Sequence, residues 1–251
     1  YIIIVNDGIT NIPDTFNIIQ PQPITSNLLV DSIICHNGLS QAEINVWGGT
    51  QPFIYNWSNG SNSYITTVHS GTHSIHVTDQ NGCSINQSFS LTNPDSIISI
   101  TSSTNINCFG GNNGSISINI LNGGISPYNF SDDNGLSYQI SNTFSNLLAG
   151  NYSFLISDTN GCLGSAYAEV IQPSVLTSTT TAIDASCYGY CDGSVTANAL
   201  GGTSPYSYTW PNGASNLCPG FYNVIVSDIN GCIGSNSAIV NEPNPLLINI
   251  S

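Results

Sequence analysis

The 251-residue chain contains no lysine, no arginine and no methionine, and these absences bear on its partners. Fourteen acidic residues give it a net charge of −14. Phosphate backbones and anionic lipid headgroups bind through cationic side chains, so nucleic acid and membrane surfaces are poor partners. Without lysine and arginine, ion pairs cannot hold the fold together and Lys–Asn isopeptide cross-links cannot form. Diffuse metal cations are the natural counterions.

Long hydrophobic runs are also absent, although 40% of the residues are apolar, enough for packed cores. No run approaches the roughly 20 residues that cross a bilayer. The chain has no signal-peptide pattern and starts inside a repeat, so we expect it to be a segment of a longer protein. No Gly-x-Ser-x-Gly motif and no recurring Ser/His/Asp order is present, so we expect no catalytic residues and no enzyme activity.

What is present is a repeat built around the pentapeptide Asp-x-Asn-Gly-Cys, which occurs at 79–83, 158–162 and 228–232. An eroded copy at 1–11 has Asn11 in place of the cysteine. Gly-Gly pairs and junction prolines recur in register with these copies. We therefore predict a partial repeat at 1–23, three repeats at 24–96, 97–175 and 176–245, and the first strand of another at 246–251.

Within each repeat the apolar residues alternate with polar ones, as in Ile116, Ile118 and Ile120 or Tyr222, Val224 and Val226. A period of two with β-branched and aromatic residues is typical of half-buried strands. Gly and Pro punctuate the chain about every ten residues. The pattern predicts an all-β protein of tandem Ig-like antiparallel β-sandwich repeats, joined by short proline-bearing linkers into an elongated rod.

The Asp-x-Asn-Gly stretch is predicted to be the hairpin between the last two strands of each repeat, as a type I′ or bulged turn. The alternative is a calcium site at Asp79, Asp158 and Asp228, because carboxylate oxygens suit a hard cation. A calcium loop needs further ligands, including a distal Glu, and these are missing. We therefore favour the turn and expect no metal and no cofactor.

Eight cysteines at recurring positions predict disulfides in an oxidising compartment. Two cysteines bracket each repeat and two remain, so the predicted pairs are Cys35–Cys83, Cys108–Cys162, Cys187–Cys232 and Cys191–Cys218. A metal site is the alternative, but it would rest on Cys187-x-x-x-Cys191 alone, because no Cys-x-x-Cys pair is present.

The other candidate ligands lie in single repeats. All four histidines, His36, His69, His73 and His76, fall in the first repeat, and His73 occupies a position that holds tyrosine in the other two. We expect His73 to be a core or rim side chain, because His73 and His76 would face opposite sides of a strand. In the third repeat, Tyr188 and Tyr190 could form a surface for stacking sugars.

The third repeat carries Cys187, Asp192-Gly193-Ser194, Gly201-Gly202, Pro205-Tyr206, Trp210 and Gly220-x-Tyr222 in that order, ending in Asp228-x-Asn230-Gly231-Cys232. This order resembles the SprB repeat. The second repeat has Asn113-Gly114-Ser115, and the first departs most, with Gln41-Ala42-Glu43 aligned to Asp-Gly-Ser. The resemblance implies a large secreted cell-surface protein of Bacteroidota, of the type of the gliding adhesin exported by type IX secretion.

Two Asp-Ser-Ile tripeptides match the O-glycosylation signal of that phylum and make Ser32 and Ser96 candidate acceptors; chance in a serine-rich chain is the alternative. We expect an extracellular adhesive or structural segment whose partners are neighbouring repeats, surface polysaccharide or other copies of itself. Two alternatives remain open: a carbohydrate-binding or spacer region of a secreted hydrolase, and a subunit of a self-assembling filament.

Overall fold

The computed structural model describes residues 1–6, 8–15 and 17–248, and every regular element in them is a β-strand. A membrane-spanning helix is absent from this described part. The chain forms two compact units, Tyr1–Ser96 and Ile97–Ser251. The first opens with a two-stranded antiparallel hairpin formed by β1 (Ile2–Asn6) and β2 (Asn11–Thr15). Asp7 of the eroded pentapeptide lies outside the described residues.

Three sets of six strands follow, one in each predicted repeat. The first set is β3 (Thr25–Val30), β4 (Ser40–Trp47), β5 (Ile54–Trp57), β6 (Ile65–Val68), β7 (Gly71–Thr78) and β8 (Ser84–Leu91). The second is β9 (Ile98–Thr104), β10 (Gly114–Asn122), β11 (Asn129–Ser131), β12 (Thr143–Leu147), β13 (Gly150–Ser157) and β14 (Leu163–Val170). The third is β15 (Thr177–Ile183), β16 (Gly193–Leu200), β17 (Tyr206–Thr209), β18 (Ser215–Leu217), β19 (Gly220–Asp228) and β20 (Ile233–Val240).

Each set folds into an Ig-like sandwich of two three-stranded antiparallel sheets. The strand orders of the paired sheets are β3-β4-β6 with β5-β7-β8, β12-β10-β9 with β11-β13-β14, and β15-β16-β18 with β17-β19-β20. The predicted alternation is confirmed, because Ile116, Ile118, Val224 and Val226 are fully buried while the residues between them face outward. In the second repeat, Ile116 and Ile118 of one sheet pack with Phe154 and Ile156 of the other in a single core. Burying a side chain of this size stabilises a fold by about 1.5–3 kcal/mol.

The two ends of each sandwich carry different features, and we call them the base and the apex. The base carries the Gly-Gly turn and the Asp-x-Asn-Gly-Cys hairpin: the Ile125 N–H donates to Asp158 Oδ2 at 2.9 Å. The apex carries the cysteine loop between the first two strands: the Ile106 N–H donates to the Ile171 carbonyl at 3.0 Å, where the chain leaves the repeat. Nine-residue strands such as β10 separate base from apex by roughly 25 Å.

The Gly-Gly turn fixes the linker that enters the base. A Cβ on Gly201 would lie 2.0 Å from the Val175 carbonyl oxygen, and one on Gly48 would lie 2.1 Å from that of Pro23. The next glycine of the third repeat, Gly202, donates its N–H to the Ser174 carbonyl at 3.0 Å. Only glycine permits this close approach, so the turn and the linker form one rigid piece.

The Asp-Gly-Ser motif opens the second strand of a repeat, and its glycine lies under the last strand. A Cβ on Gly193 would lie 2.5 Å from Val240 Cγ1. Gly193 pairs with Leu217 at the start of β16, and in the first repeat Ser40 holds the corresponding place opposite Val68. The alignment of Gln41-Ala42-Glu43 with this motif was therefore wrong by two residues, because Ser40 stands where the glycine does.

Candidate functional site at the junction between repeats

The base hairpin is organised by one buried aspartate carboxylate. In the third repeat, Asp228 Oδ1 accepts the N–H groups of Asn230 and Cys232, both at 2.9 Å. Asp228 Oδ2 accepts the Thr203 N–H at 2.9 Å and so ties the hairpin to the Gly-Gly turn. The other two repeats have the same three bonds around Asp79 and Asp158.

The hairpin is the bulged form of the two that the sequence allowed. The Gly231 N–H donates to the Asp228 carbonyl at 3.1 Å, and Gly231 has a φ of +80°. Asn230 is not among the residues with positive φ, whereas a type I′ turn needs two. The turn therefore presents the following residue, Cys232, at a fixed position on the base.

Backbone N–H groups also set the acidity of these carboxyls. The hydrogen bond from Thr50 is the main cause that lowers the pKa of Asp79, and it outweighs the effect of burial. Burial alone would raise the pKa of Asp228, but the N–H groups of Thr203, Cys232 and Asn230 together hold it below its ordinary value. Both groups are therefore held as carboxylates by the turn itself.

The three aspartates that were calcium candidates have their oxygens directed at N–H donors. Such donors stabilise a carboxylate but compete with a cation for its oxygens. Among the residues that the structure describes, no three His, Cys, Asp or Glu side chains are grouped as a metal site would need. The geometry explains Asp79, Asp158 and Asp228 through the turn.

The apex loop presents the second cysteine of each repeat. In all three loops the cysteine carbonyl accepts the N–H three residues on: Gly38 to Cys35 at 2.9 Å, Gly111 to Cys108 at 2.9 Å and Tyr190 to Cys187 at 3.1 Å. The third residue of each turn, Asn37, Gly110 or Gly189, has a φ between +58° and +74°. The cysteines therefore sit in the same tight turn in every repeat.

A side chain next to the junction proline clamps this turn. The Gly110 N–H donates to Gln172 Oε1 at 2.7 Å, and the Gly189 N–H donates to Glu242 Oε2 at 2.6 Å. In the first repeat the Asn37 N–H donates to Asn93 Oδ1 at 2.8 Å. This position was not predicted from the sequence, although a polar residue before Pro94, Pro173 and Pro243 is a detectable signal.

The apex of the second repeat and the base of the third are joined by a disulfide. Cys108 is bonded to Cys232 with an S–S distance of 2.03 Å and a Cα–Cα distance of 5.5 Å, across 124 residues of sequence. Next to the bond, Asn230 Nδ2 donates to the Asn107 carbonyl at 3.3 Å. The two repeats are therefore linked twice, by the polypeptide at Pro173 and by this covalent bond.

Parts of the second and third repeats are similar to a known repeat family. The family model described as "SprB repeat" matches residues 100–136 and 179–215. Two segments of the chain, one in the second repeat and one in the third, match the SprB repeat. The matched segments run from the first strand of the second and third repeats through the apex loop and the Gly-Gly turn, so the resemblance seen in the sequence is confirmed.

No curated protein matches the chain. Among solved structures, one described as "Structural basis for Dscam isoform specificity" has 9% identity and a TM-score of 0.24, covering 96% of this chain and 79% of that one. Another, Dpr2 Ig1-Ig2 in complex with DIP-Theta Ig1-Ig3, has 8% identity and a TM-score of 0.24, covering 88% and 99%. Scores this low support no argument about this chain.

Three of the four predicted cysteine pairs were wrong. Cys108 bonds Cys232 and not Cys162, so Cys232 is not available to Cys187, and Cys83 and Cys187 are free thiols. The physical reason is that the two cysteines that bracket one repeat lie at opposite ends of the sandwich, roughly 25 Å apart, far beyond the reach of a disulfide. Cys35 and Cys162 are also disulfide-bonded.

The fourth pair, Cys191 with Cys218, is present in the third repeat, with a sequence separation of 27. Cys191 follows the turn at Cys187, and Cys218 lies between β18 and β19. The bond therefore braces the apex loop from the side.

The histidines of the first repeat make local hydrogen bonds. His73 Nε2 lies 3.0 Å from the His69 carbonyl oxygen. In the other two repeats the tyrosine hydroxyl at this position donates to the equivalent carbonyl, Tyr152 to Leu148 and Tyr222 to Cys218. His36 Nδ1 lies 2.8 Å from the Pro94 carbonyl oxygen and His76 Nδ1 lies 3.2 Å from Thr78 Oγ1.

The candidate surface groups lie where a partner could reach them. Ser32 and Ser96 are exposed. Tyr188 and Tyr190 are 57% and 61% exposed, and both belong to the apex loop that carries the free Cys187.

Proposed function

We propose that this chain is a load-bearing segment of a large secreted cell-surface adhesin, in which SprB repeats hold a binding region away from the cell. The observation that carries the proposal is the Cys108–Cys232 disulfide between successive repeats. A domain that only binds or catalyses has no need of a covalent link to its neighbour, whereas a tether under tension gains from one.

The disulfide changes the path that a pulling force takes. Force entering the second repeat passes along β9 to Cys108, crosses to Cys232 and leaves along β20. The chain between the two cysteines, which are separated by 124 in sequence, lies outside this path, so unfolding of the strands between them does not lengthen the tether. The braced turns at both ends hold the two cysteines in place.

The amino-acid composition suits a protein that is exposed outside the cell. Disulfides persist outside the cell, where no thiol pool reduces them. The absence of lysine and arginine leaves no cleavage site for trypsin-like proteases. Type IX export, gliding motility and O-glycans at Ser32 and Ser96 belong to this proposal through the family resemblance, and surface polysaccharide is the partner proposed for the exposed Tyr188 and Tyr190.

Single-molecule pulling tests the load-bearing role. Handles are attached to the full chain at positions 97 and 246 by chemistry that spares cysteine, and the fully unfolded length is measured without reductant. The Cys108→Ser/Cys232→Ser variant should extend roughly 30 nm further than the unaltered chain, because only the 27 residues between Cys191 and Cys218 then stay hidden. Equal lengths would contradict the proposal.

A further inference from the structure

Two cysteines remain free in local structures that elsewhere hold a bonded cysteine. Cys187 sits in an apex turn closed by the Tyr190 N–H, as Cys108 sits in one closed by Gly111. The same kind of clamp holds each turn, from Glu242 in the third repeat and Gln172 in the second. Cys187 is exposed and free, while Cys108 is bonded to the base of the next repeat.

Cys83 is the corresponding case at a base. Its N–H donates to Asp79 Oδ1 at 2.8 Å, as the Cys232 N–H donates to Asp228 Oδ1 at 2.9 Å. Cys83 is exposed and free, while Cys232 is bonded to the apex of the preceding repeat. The backbone therefore presents both free thiols as it presents their bonded counterparts.

A cavity of about 350 Å³ lies beside Cys83, between the base hairpin and the linker 20–24. Asn81 and Cys83 line this cavity. Their counterparts in the third repeat, Asn230 and Cys232, contact the apex loop of the second repeat through Asn107 and Cys108. In the third repeat, the apex loop of the preceding repeat lies at this position. In the first repeat, the same position is an open cavity.

We propose that Cys187 forms a disulfide with the base-hairpin cysteine of another SprB repeat, and that Cys83 forms one with the apex-loop cysteine of another. The partner is recognised by its own Asp-x-Asn-Gly-Cys hairpin or its own cysteine turn. In the same polypeptide the partner repeat follows for Cys187 and precedes for Cys83. The alternative partner is a second copy of the chain, and the chemistry is the same in both cases. Both bonds would have the arrangement of the Cys108–Cys232 junction: Cys187 would take the place of Cys108, and Cys83 the place of Cys232.

Bond formation requires an oxidant, and a small-molecule disulfide such as oxidised glutathione supplies it. The Cys187 thiolate attacks this disulfide and releases one small thiol, leaving a mixed disulfide on Cys187. The partner thiolate then attacks the Cys187 sulfur and releases the second small thiol. Two protein thiols are oxidised, one small disulfide is reduced, and the two thiol protons pass to the two released thiolates.

The first arm of the test supplies a partner in the same polypeptide. A copy of residues 176–251 is fused after Pro245 of the full chain, which keeps the proline-to-strand spacing of the junction at Pro173. The chain alone has two free thiols, and the copy brings two more unpaired cysteines. After oxidation by a glutathione redox buffer, we expect two free thiols per molecule and a linked peptide between Cys187 and the added hairpin cysteine.

The matched control is the same fusion with Cys232→Ser in the added copy, in which Cys187 should regain its free thiol. Four free thiols in the unaltered fusion, or Cys187 bonded to any other cysteine, would overturn the assignment for a following repeat.

The second arm tests another copy as the partner. The Cys83→Ser and Cys187→Ser variants of the unextended chain are oxidised separately and as a mixture. A dimer that forms in the mixture and is linked through Cys187 and Cys83 identifies a second copy as a partner. No such dimer, together with two free thiols in the fusion, assigns the partner to the same polypeptide.

Dimers that form equally in each variant alone would show random oxidation and overturn the proposal, as would failure of both arms. The inference extends the proposed load-bearing role but is tested apart from it. Cys83 and Cys187 could stay free while Cys108–Cys232 still carries force, and the pulling experiment would show that.

Discussion

Several aspartate carboxylates in this chain each accept hydrogen bonds from more than one backbone N–H group or hydroxyl. Asp133 lies in the loop between β11 and β12, which is longer in the second repeat than the corresponding loops of the other two. It accepts hydrogen bonds from the Ser137 hydroxyl at 2.6 Å and from the Ser131 hydroxyl at 2.7 Å. The Ser137 bond is the largest cause that lowers the pKa of Asp133 to about 2. With no lysine or arginine present, neutral donors take the role that cations have elsewhere.

These carboxylates predict how acid affects the fold. A carboxyl whose pKa is lower in the folded state contributes stability above its unfolded pKa, near 3.9, and loses it as the pH falls through the folded value. We expect urea midpoints to stay level from pH 7 to about 4 and to fall between about 4 and 2. In this pH window the urea midpoint of the Asp133→Asn variant should fall less than that of the unaltered chain. The control is the Asp132→Asn variant, because Asp132 is exposed. An equal slope in both variants would contradict the assignment.

The close approach at the Gly-Gly turn predicts a second residue effect. Gly201 and Gly231 have similar φ values, +76° and +80°, but only Gly201 lies against a carbonyl oxygen. A Cβ at Gly231 would meet nothing within 4 Å. Gly201→Ala should therefore destabilise the chain by about 1–3 kcal/mol more than Gly231→Ala, as measured by urea unfolding. If the two variants were equally stable, the linker would not be held as described.

At the scale of elements, the strands could be predicted from sequence and the cysteine pairs could not. Alternation at Ile116 and Ile118 is a local signal, and it specifies a strand wherever one face is buried. Pairing is a long-range property: it depends on which end of the sandwich each loop occupies. Cys108 and Cys162 recur at fixed positions in the sequence, but nothing in their spacing shows that one lies at an apex and the other at a base.

The hairpin could be predicted from the sequence, unlike the cysteine pairs, because its chemistry is local. Asp, Asn and Gly within four residues already require a turn, and the structure decides only between its two forms. The clamp by Gln172 or Glu242 was not found, because each polar residue is unremarkable by itself. It becomes visible once the apex loop is known to lie beside the junction proline.

The Cys191–Cys218 bond predicts an element-level effect. It closes 27 residues, for which the chain-entropy estimate is about 3.5 kcal/mol. We expect Cys191→Ser/Cys218→Ser to lower the unfolding free energy of the third repeat by about 3 kcal/mol, as measured by urea unfolding followed through Trp210 fluorescence. Unchanged stability would show that the loop is held by its hydrogen bonds alone.

At the scale of the whole molecule, the second and third repeats are bonded to each other, and in neither is the apex-turn cysteine bonded to the base-hairpin cysteine of the same repeat. A disulfide within each repeat would stabilise modules that act independently. The Cys108–Cys232 bond makes the folding and the mechanical response of the second and third repeats depend on each other. The free Cys83 and Cys187 then belong to the same scheme, one at a base and one at an apex.

Disulfide mapping of the intact, unreduced protein shows whether the cysteines are bonded between repeats or within them. Trypsin cannot cut a chain without lysine or arginine, so the digestion uses pepsin at low pH, which also suppresses thiol exchange. Mass spectrometry should find one peptide pair that contains Cys108 and Cys232 and disappears on reduction. Peptides that link Cys108 to Cys162, or Cys187 to Cys232, would show repeats closed on themselves and would contradict the account.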